Sequence, residues 1–222
     1  MTRTTIRCAA RAARWPVIAC AVVATFGASV AAQLASRPAD EWRKVLDAPE
    51  RVATLKVNDV IARLRLKPTD VVADLGAGTG PFVVPFAKAV PSGTVYAVEV
   101  DDGFLPLIRE KTRAAGVTNV QTVLGVFTDP KLPAATVDVA FMHDVLHHIG
   151  DRAAYFRTLT TYLKPSARLA ILDFHPARSP HQDQPALQVE KEQTRALLAE
   201  LGFKPIEDIS LFEDKWFVVF SK

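Results

Sequence analysis

Cysteine is almost missing from this 222-residue chain: Cys8 and Cys20 are the only two, and both fall within the first 32 residues. The rest has none, which excludes a disulfide framework and thiolate catalysis there. The leading stretch in turn lacks acids: Arg3, Arg7, Arg11 and Arg14 make a basic head before an apolar run over 16–30. The formal charge of +3 for the whole chain, less those four arginines, leaves −1 for the remainder. The basic balance therefore belongs to the leading segment, and no polybasic face argues for a nucleic-acid partner. Internal repeats and low-complexity tracts are also lacking. About 190 residues remain, enough for one well-cored domain.

The leading segment reads as a signal peptide over 1–32, with an uncleaved membrane anchor as the alternative. Its apolar run of 15 residues is shorter than the roughly 20 that a spanning helix prefers, and Val30-Ala31-Ala32 supplies small residues for cleavage. The expected location is periplasmic or secreted, or anchored to the inner membrane. Residues 33–48 read as a linker, and 49–222 as the folded domain.

Two glycine patterns are missing where nucleotide-binding folds commonly have them. A dinucleotide fingerprint needs G-x-G-x-x-G, yet Pro81 and Val83 occupy the two places where its third glycine would fall. A G-K-[ST] ending for a triphosphate is absent too. What is present is Asp74-Leu75-Gly76-Ala77-Gly78-Thr79-Gly80, preceded by an apolar run over 71–73 and followed by a helix-like stretch over 82–90. A strand ending in a glycine turn and opening into a helix is the nucleotide-binding corner of a doubly wound sheet. Glycines there let backbone approach a ligand closely and permit positive φ.

This D-x-G-x-G-x-G spacing resembles motif I of the class I S-adenosylmethionine (SAM)-dependent methyltransferases. Together with D-P-K-L-P, H-H-I and L-K-P…L-A-I-L-D-F it is similar to their small stand-alone members of the methyltransferase domain 11/25 type. The resemblance implies that Gly76, Gly78 and Gly80 pass close to SAM and that Asp74 holds its ammonium. The following helix start would receive its carboxylate. Glu99 ends the next apolar run, 19 positions after Gly80, where an acid typically accepts hydrogen bonds from ribose hydroxyls. Asp101 is a rival, although Asp101 or Asp102 can equally cap the next helix. Relatives often carry an acid after the glycine at 125. Here Val126 stands in that place, which leaves Asp129 as the candidate reader of the adenine.

Apolar periodicity predicts helices over 57–66, 104–115, 151–163 and 185–201, and strands over 120–124, 137–142 and 169–174. Closely spaced apolar runs over 206–211 and 216–220 predict an antiparallel hairpin. The expected fold is α/β: a Rossmann-like, seven-stranded, mostly parallel sheet with a C-terminal antiparallel hairpin.

Three segments fall at the expected carboxyl ends of strands, where ligands bind in such folds: 125–133, 143–148 and 173–176. His143, His147 and His148 are the candidate catalytic groups, since an imidazole can take a proton from an acceptor near neutral pH. On the family pattern, Asp144 borders the cofactor. His143 and His147, four apart, could share a helical face and join Asp144 and Asp173 around a divalent ion. The same histidine pair occurs in metal-independent relatives, and no metal is expected. The loop over 177–184 reads as a lining or cover for the acceptor, with Trp42 a possible second part of that cover.

The function expected is methyl transfer from SAM to a small-molecule or lipid-like acceptor, by in-line attack on the sulfonium methyl. The alternative is an exported, non-catalytic SAM-fold binding module. A nicotinamide oxidoreductase is disfavoured by the glycine spacing.

Overall fold

The computed structural model describes residues 38–222. The signal-peptide reading of 1–32, with Cys8 and Cys20, lies outside the described residues. Among the described residues, no helix is long and apolar enough to cross a membrane.

Three short helices come first: α1 (Ala39–Leu46), α2 (Pro49–Thr54) and α3 (Val57–Leu64). Alternation follows with β1 (Val71–Leu75), α4 (Val83–Ala89), β2 (Thr94–Glu99), α5 (Phe104–Ala114), β3 (Val120–Leu124) and β4 (Val137–His143). A single 3-10 turn, Leu146–His148, leads to α6 (Arg152–Thr160) and β5 (Leu163–Phe174). Two more 3-10 turns precede α7 (Lys191–Glu200), β6 (Lys204–Asp208) and β7 (Lys215–Ser221).

The strands form one seven-stranded sheet in the order β3-β2-β1-β4-β5-β7-β6. The first five are mutually parallel, and β7 runs antiparallel between β5 and β6. The expected α/β architecture is thus present, mixed hairpin included.

Both faces of the sheet are covered, so the central strands are apolar on every side instead of alternating with polar residues. Val139 and Phe141 of β4 pack toward α3, α4 and α5, with Phe86 and Ile108. Their neighbours Ala140 and Met142 point the other way, onto Phe156, Leu159 and Leu198. All strand carboxyl ends of the parallel set therefore open on one edge, which is where the loops carrying Asp74, Glu99 and the histidines emerge.

Several boundaries differ from the sequence reading. β5 begins at Leu163, six residues before the strand expected over 169–174, and the helix expected over 151–163 ends at Thr160. Residues 33–48, read as a linker, contain α1. The expected helix over 185–201 is a 3-10 turn, Pro185–Leu187, then α7 from Lys191. Val189, buried in the core, and Glu190, in extended conformation, separate the two. The outer hairpin strand is Lys204–Asp208, not 206–211: its register on β7 shifts at Pro205, and Ile206 is turned to solvent, 55% exposed.

Candidate functional site

The glycine turn grows directly out of β1. Its first two amides, Gly76 N–H and Ala77 N–H, both donate to the Val98 carbonyl of β2 at 2.9 Å. Gly76 has φ +73°, and a Cβ there would lie 2.5 Å from Val145 Cγ2. Any side chain at 76 would collide with the loop after β4. Gly78, at φ +55°, faces space: a Cβ there would meet nothing nearer than Leu46 Cδ1 of α1 at 3.9 Å.

Glu99 closes the turn from the neighbouring strand. Its Oε2 accepts from Gly78 N–H at 2.7 Å, and its Oε1 from Val100 N–H at 2.7 Å. Burial raises its pKa, while these amide donors oppose the rise. Asp101 does different work: its Oδ1 accepts from Gly103 N–H, 2.9 Å away, at the start of α5. Of the two acids weighed for the ribose position, Glu99 is the one tied to the glycine turn.

Asp74 sits at the base of that turn, almost wholly buried, and its Oδ2 has no hydrogen-bond partner among the described residues. Burial, and then the nearby Glu99 charge, push its pKa up to about 8. A buried carboxyl oxygen without a donor costs free energy and is the kind of feature that marks a binding position.

A clasp holds the turn from the outside. Thr79 Oγ1 donates to Asp47 Oδ1 at 2.5 Å, and Lys111 of α5 donates to the same carboxylate at 2.7 Å. Asp47 immediately follows α1, whose Arg43 also bonds Glu110. Trp42 belongs to this helix. Sequence reasoning missed the clasp, because Asp47 finds partners 32 and 64 positions away.

The histidines divide into two groups. His143, at the end of β4, packs its ring against Phe82 (centroids 5.1 Å apart) and places Nε2 3.4 Å from Lys215 Nζ. Lys215 Nζ donates to Asp144 Oδ2 at 2.7 Å and lies 4.5 Å over the Phe174 ring. Asp144 adopts φ +55°, and its Oδ1 is buried without a hydrogen-bond partner among the described residues. Burial lowers the His143 pKa to about 4, so this imidazole is neutral at physiological pH.

His147 lies in the other group. Its Nδ1 donates to Asp173 Oδ1 at 2.8 Å, and its backbone N–H to Asp173 Oδ2 at 3.1 Å. Burial pushes the Asp173 carboxyl up, but the hydrogen bonds from His147 and Phe174 N–H outweigh it and hold the pKa below its ordinary value. A carboxylate fixed in this way sets the tautomer of its imidazole and leaves Nε2 free. His148 adjoins His147, with ring centroids 4.1 Å apart. Its pKa is lowered to about 4 by burial and by its neighbours His147 and His181.

His143 and His147 therefore do not share a helical face. One ends a strand and the other lies in a 3-10 turn, and the set His143, His147, Asp144, Asp173 separates into two pairs. Asp129 Oδ1 accepts from Tyr162 O–H at 2.7 Å, just before β5, and from Lys131 N–H at 2.8 Å. Lys215 and His181 were not singled out by the sequence. Lys215 carries no local signal, being one lysine in a charged turn, and His181 fell within the loop read as an acceptor lining.

Comparison with known proteins bears directly on this arrangement. Residues 73–171 match the family model described as a methyltransferase domain. That span runs from β1 into β5 and contains Asp74, the glycine turn, Glu99 and the three histidines. A SAM-dependent methyltransferase from Aquifex aeolicus superposes with a TM-score of 0.74 at 25% identity, over 82% of this chain and 97% of that one. Residues 73–171 are a methyltransferase domain, and the fold is that of the class I SAM-dependent methyltransferases. Magnesium protoporphyrin IX methyltransferase from Synechocystis, solved with bound SAM, shares the fold, with a TM-score of 0.69 at 19% identity over 92% of this chain and all of that one. The ubiquinone/menaquinone biosynthesis C-methyltransferase UbiE of Pasteurella multocida is 35% identical over 105 residues, 46% of this chain and 39% of that protein. The chain thus spans about two fifths of the length of the curated relatives it matches.

The site of this methyltransferase fits SAM on its own features. The unpartnered Asp74 Oδ2 matches an ammonium donor, the space over Gly78 admits a ligand against the backbone, and Glu99 stands beside it as a hydroxyl acceptor.

Proposed function

We propose that this methyltransferase transfers a methyl group from SAM to a small-molecule or lipid-like acceptor. The observation that carries the proposal is the convergence on one sheet edge of two sets of residues. Asp74, Gly76, Gly78, Gly80 and Glu99 form the cofactor side, and the two histidine groups after β4 and β5 form the acceptor side. SAM, when bound, supplies an electrophilic methyl on a sulfonium that departs as a neutral thioether.

The residues themselves bind, orient and handle protons. Asp74 takes the ammonium and Glu99 the ribose hydroxyls, while the clasp from Asp47 to Thr79 keeps α1 over the turn and water out. His147 is the acid–base group, with Nδ1–H committed to Asp173 and Nε2 left to accept a proton from the acceptor. An imidazole oriented by a carboxylate is the recurring form of a positioned base. The neutral, walled-in His143 orients Lys215 instead, and the Lys215–Asp144 pair forms the polar floor beside it. Most of the rate would come from alignment of the two reactants.

The acceptor side is apolar and aromatic, with Phe82, Phe174 and Phe212 near the polar cluster. With a C-methyltransferase of quinone biosynthesis among the similar proteins, this supports a hydroxylated aromatic ring as acceptor. The basic head and apolar run before residue 32 support a periplasmic or secreted location, or attachment to the inner membrane. No observation favours the non-catalytic binding module. The test is incubation of the full chain with methyl-labelled SAM and a panel of reduced quinones and phenols. Label transferred to a ring acceptor, and lost in His147→Gln, supports the reading. Transfer to none of them, by protein that binds SAM, would remove the acceptor class.

A further inference from the structure

His147, His148 and His181 offer one nitrogen each, and the three nitrogens lie within 4.8 Å of one another. From this geometry we infer that the chain holds a divalent transition-metal ion of the Zn²⁺ type, ligated by these three imidazoles. This ligand set shares only His147 with the set of His143, His147, Asp144 and Asp173 that the sequence suggests.

Three features make this a built site and not a chance cluster. First, Asp173 accepts from His147 Nδ1–H. That is the carboxylate–histidine arrangement that turns the opposite nitrogen toward a metal and raises its basicity. Second, His148 Nδ1 is buried and has no hydrogen-bond partner among the described residues, so a polar atom removed from water awaits a ligand. Third, the loop that brings His181 is tied down on both sides. His181 N–H donates to Ser179 Oγ at 3.0 Å, Gln182 Nε2 to the Ala177 carbonyl at 2.7 Å, and Gln188 Nε2 to the His181 carbonyl.

Imidazole nitrogens suit Zn²⁺ and its neighbours, whereas Mg²⁺ and Ca²⁺ prefer oxygen ligands. In a tetrahedral site with bonds near 2.0 Å, ligand atoms stand roughly 3.3 Å apart, so the three nitrogens must draw together by up to about 1.5 Å. Three protein ligands leave a fourth position for water or an acceptor oxygen. With Nδ1–H committed to Asp173, His147 would give the ion its Nε2, and the base role proposed for it above applies to the ion-free protein. The inference concerns ion binding alone and stands or falls independently of methyl transfer.

The test is titration of the tag-free, metal-stripped full chain with Zn²⁺ and separately with Co²⁺. It is done in a Cys8→Ser/Cys20→Ser background so that those thiols do not compete. One equivalent should bind, with the intense visible absorption of four-coordinate Co²⁺, and Mg²⁺ should not displace it. Affinity should fall at least about 100-fold in His181→Gln. In Asp173→Asn, which touches the ion only through His147, it should fall by about 10- to 100-fold. His181 is partly exposed, and unchanged circular dichroism will confirm that its variant folds. Absence of binding by the folded parent, or equal affinity in His181→Gln, would overturn the assignment.

Discussion

Glu99 Oε2 and the Gly78 amide are 2.7 Å apart, so the acid that ends β2 is hydrogen-bonded to the middle of the turn that ends β1. Two neighbouring strands thus deliver one carboxylate and one glycine to the same point, and Asp74 lies buried directly below. Each element of the site can be perturbed separately, with a distinct expected result.

Asp74 should leave a signature in stability against pH. Its folded pKa of about 8 lies above the ordinary 3.8. The native state therefore holds a proton that the unfolded state has lost, and stability falls as pH rises from about 4 to about 8. Asp74→Asn removes this slope. The variant should gain on the parent by up to about 1.4 kcal/mol per pH unit across that window, read by denaturant unfolding without ligand. Parallel curves for the two proteins would contradict the buried, protonated state.

Gly76→Ala should lose stability through both its positive φ and its collision with Val145. A cost of about 1–3 kcal/mol is expected for the strained backbone alone. Gly76→Ala/Val145→Ala should recover only the steric part, so a thermal melt of the double variant falls between Gly76→Ala and Val145→Ala if contact contributes. No recovery would assign the whole loss to backbone strain.

Lys215→Met should be among the more damaging single changes outside the apolar core. It strands the Asp144 carboxylate, which lies 2.7 Å from Lys215 Nζ in a largely buried pair. Removing one partner of such a pair costs about 3–5 kcal/mol, or roughly 10 °C in Tm for a domain of this size. Asp144→Asn/Lys215→Met should restore much of that loss, and additive losses would show that the pair is not coupled.

Breaking the clasp should act on ligand exchange more than on folding. Asp47→Ala removes the acceptor shared by Thr79 and Lys111, with a modest change in Tm. It should raise amide exchange over 39–46 and speed SAM release about tenfold. Unchanged release with raised exchange would separate α1 from the cofactor site.

How much of this was legible in the sequence depends on how local each signal is. The glycine turn, Glu99 and the strands before and after them are short-range patterns, and 120–124 was read with the bounds of β3. Asp47 and Lys215 act through partners distant in the chain, and neither shows a periodicity or a motif. The spacing of His143 and His147 misled for a different reason. A four-residue interval implies one face only inside a helix, and the chain between them leaves β4, passes Asp144 in a left-handed conformation, and enters a 3-10 turn. Ile206 does lie in a strand of the expected hairpin, but that strand is the sheet edge, and next to the proline-shifted register its side chain faces solvent.

The most direct test of the central claim is calorimetric titration of the full chain with SAM and S-adenosylhomocysteine, alongside Glu99→Ala. The account predicts micromolar binding by the parent and at least about a tenfold loss in the variant, with both proteins folded, since a charged hydrogen bond to a ribose hydroxyl is worth about 1.5 kcal/mol or more. A folded parent that binds neither compound at millimolar concentration would contradict it.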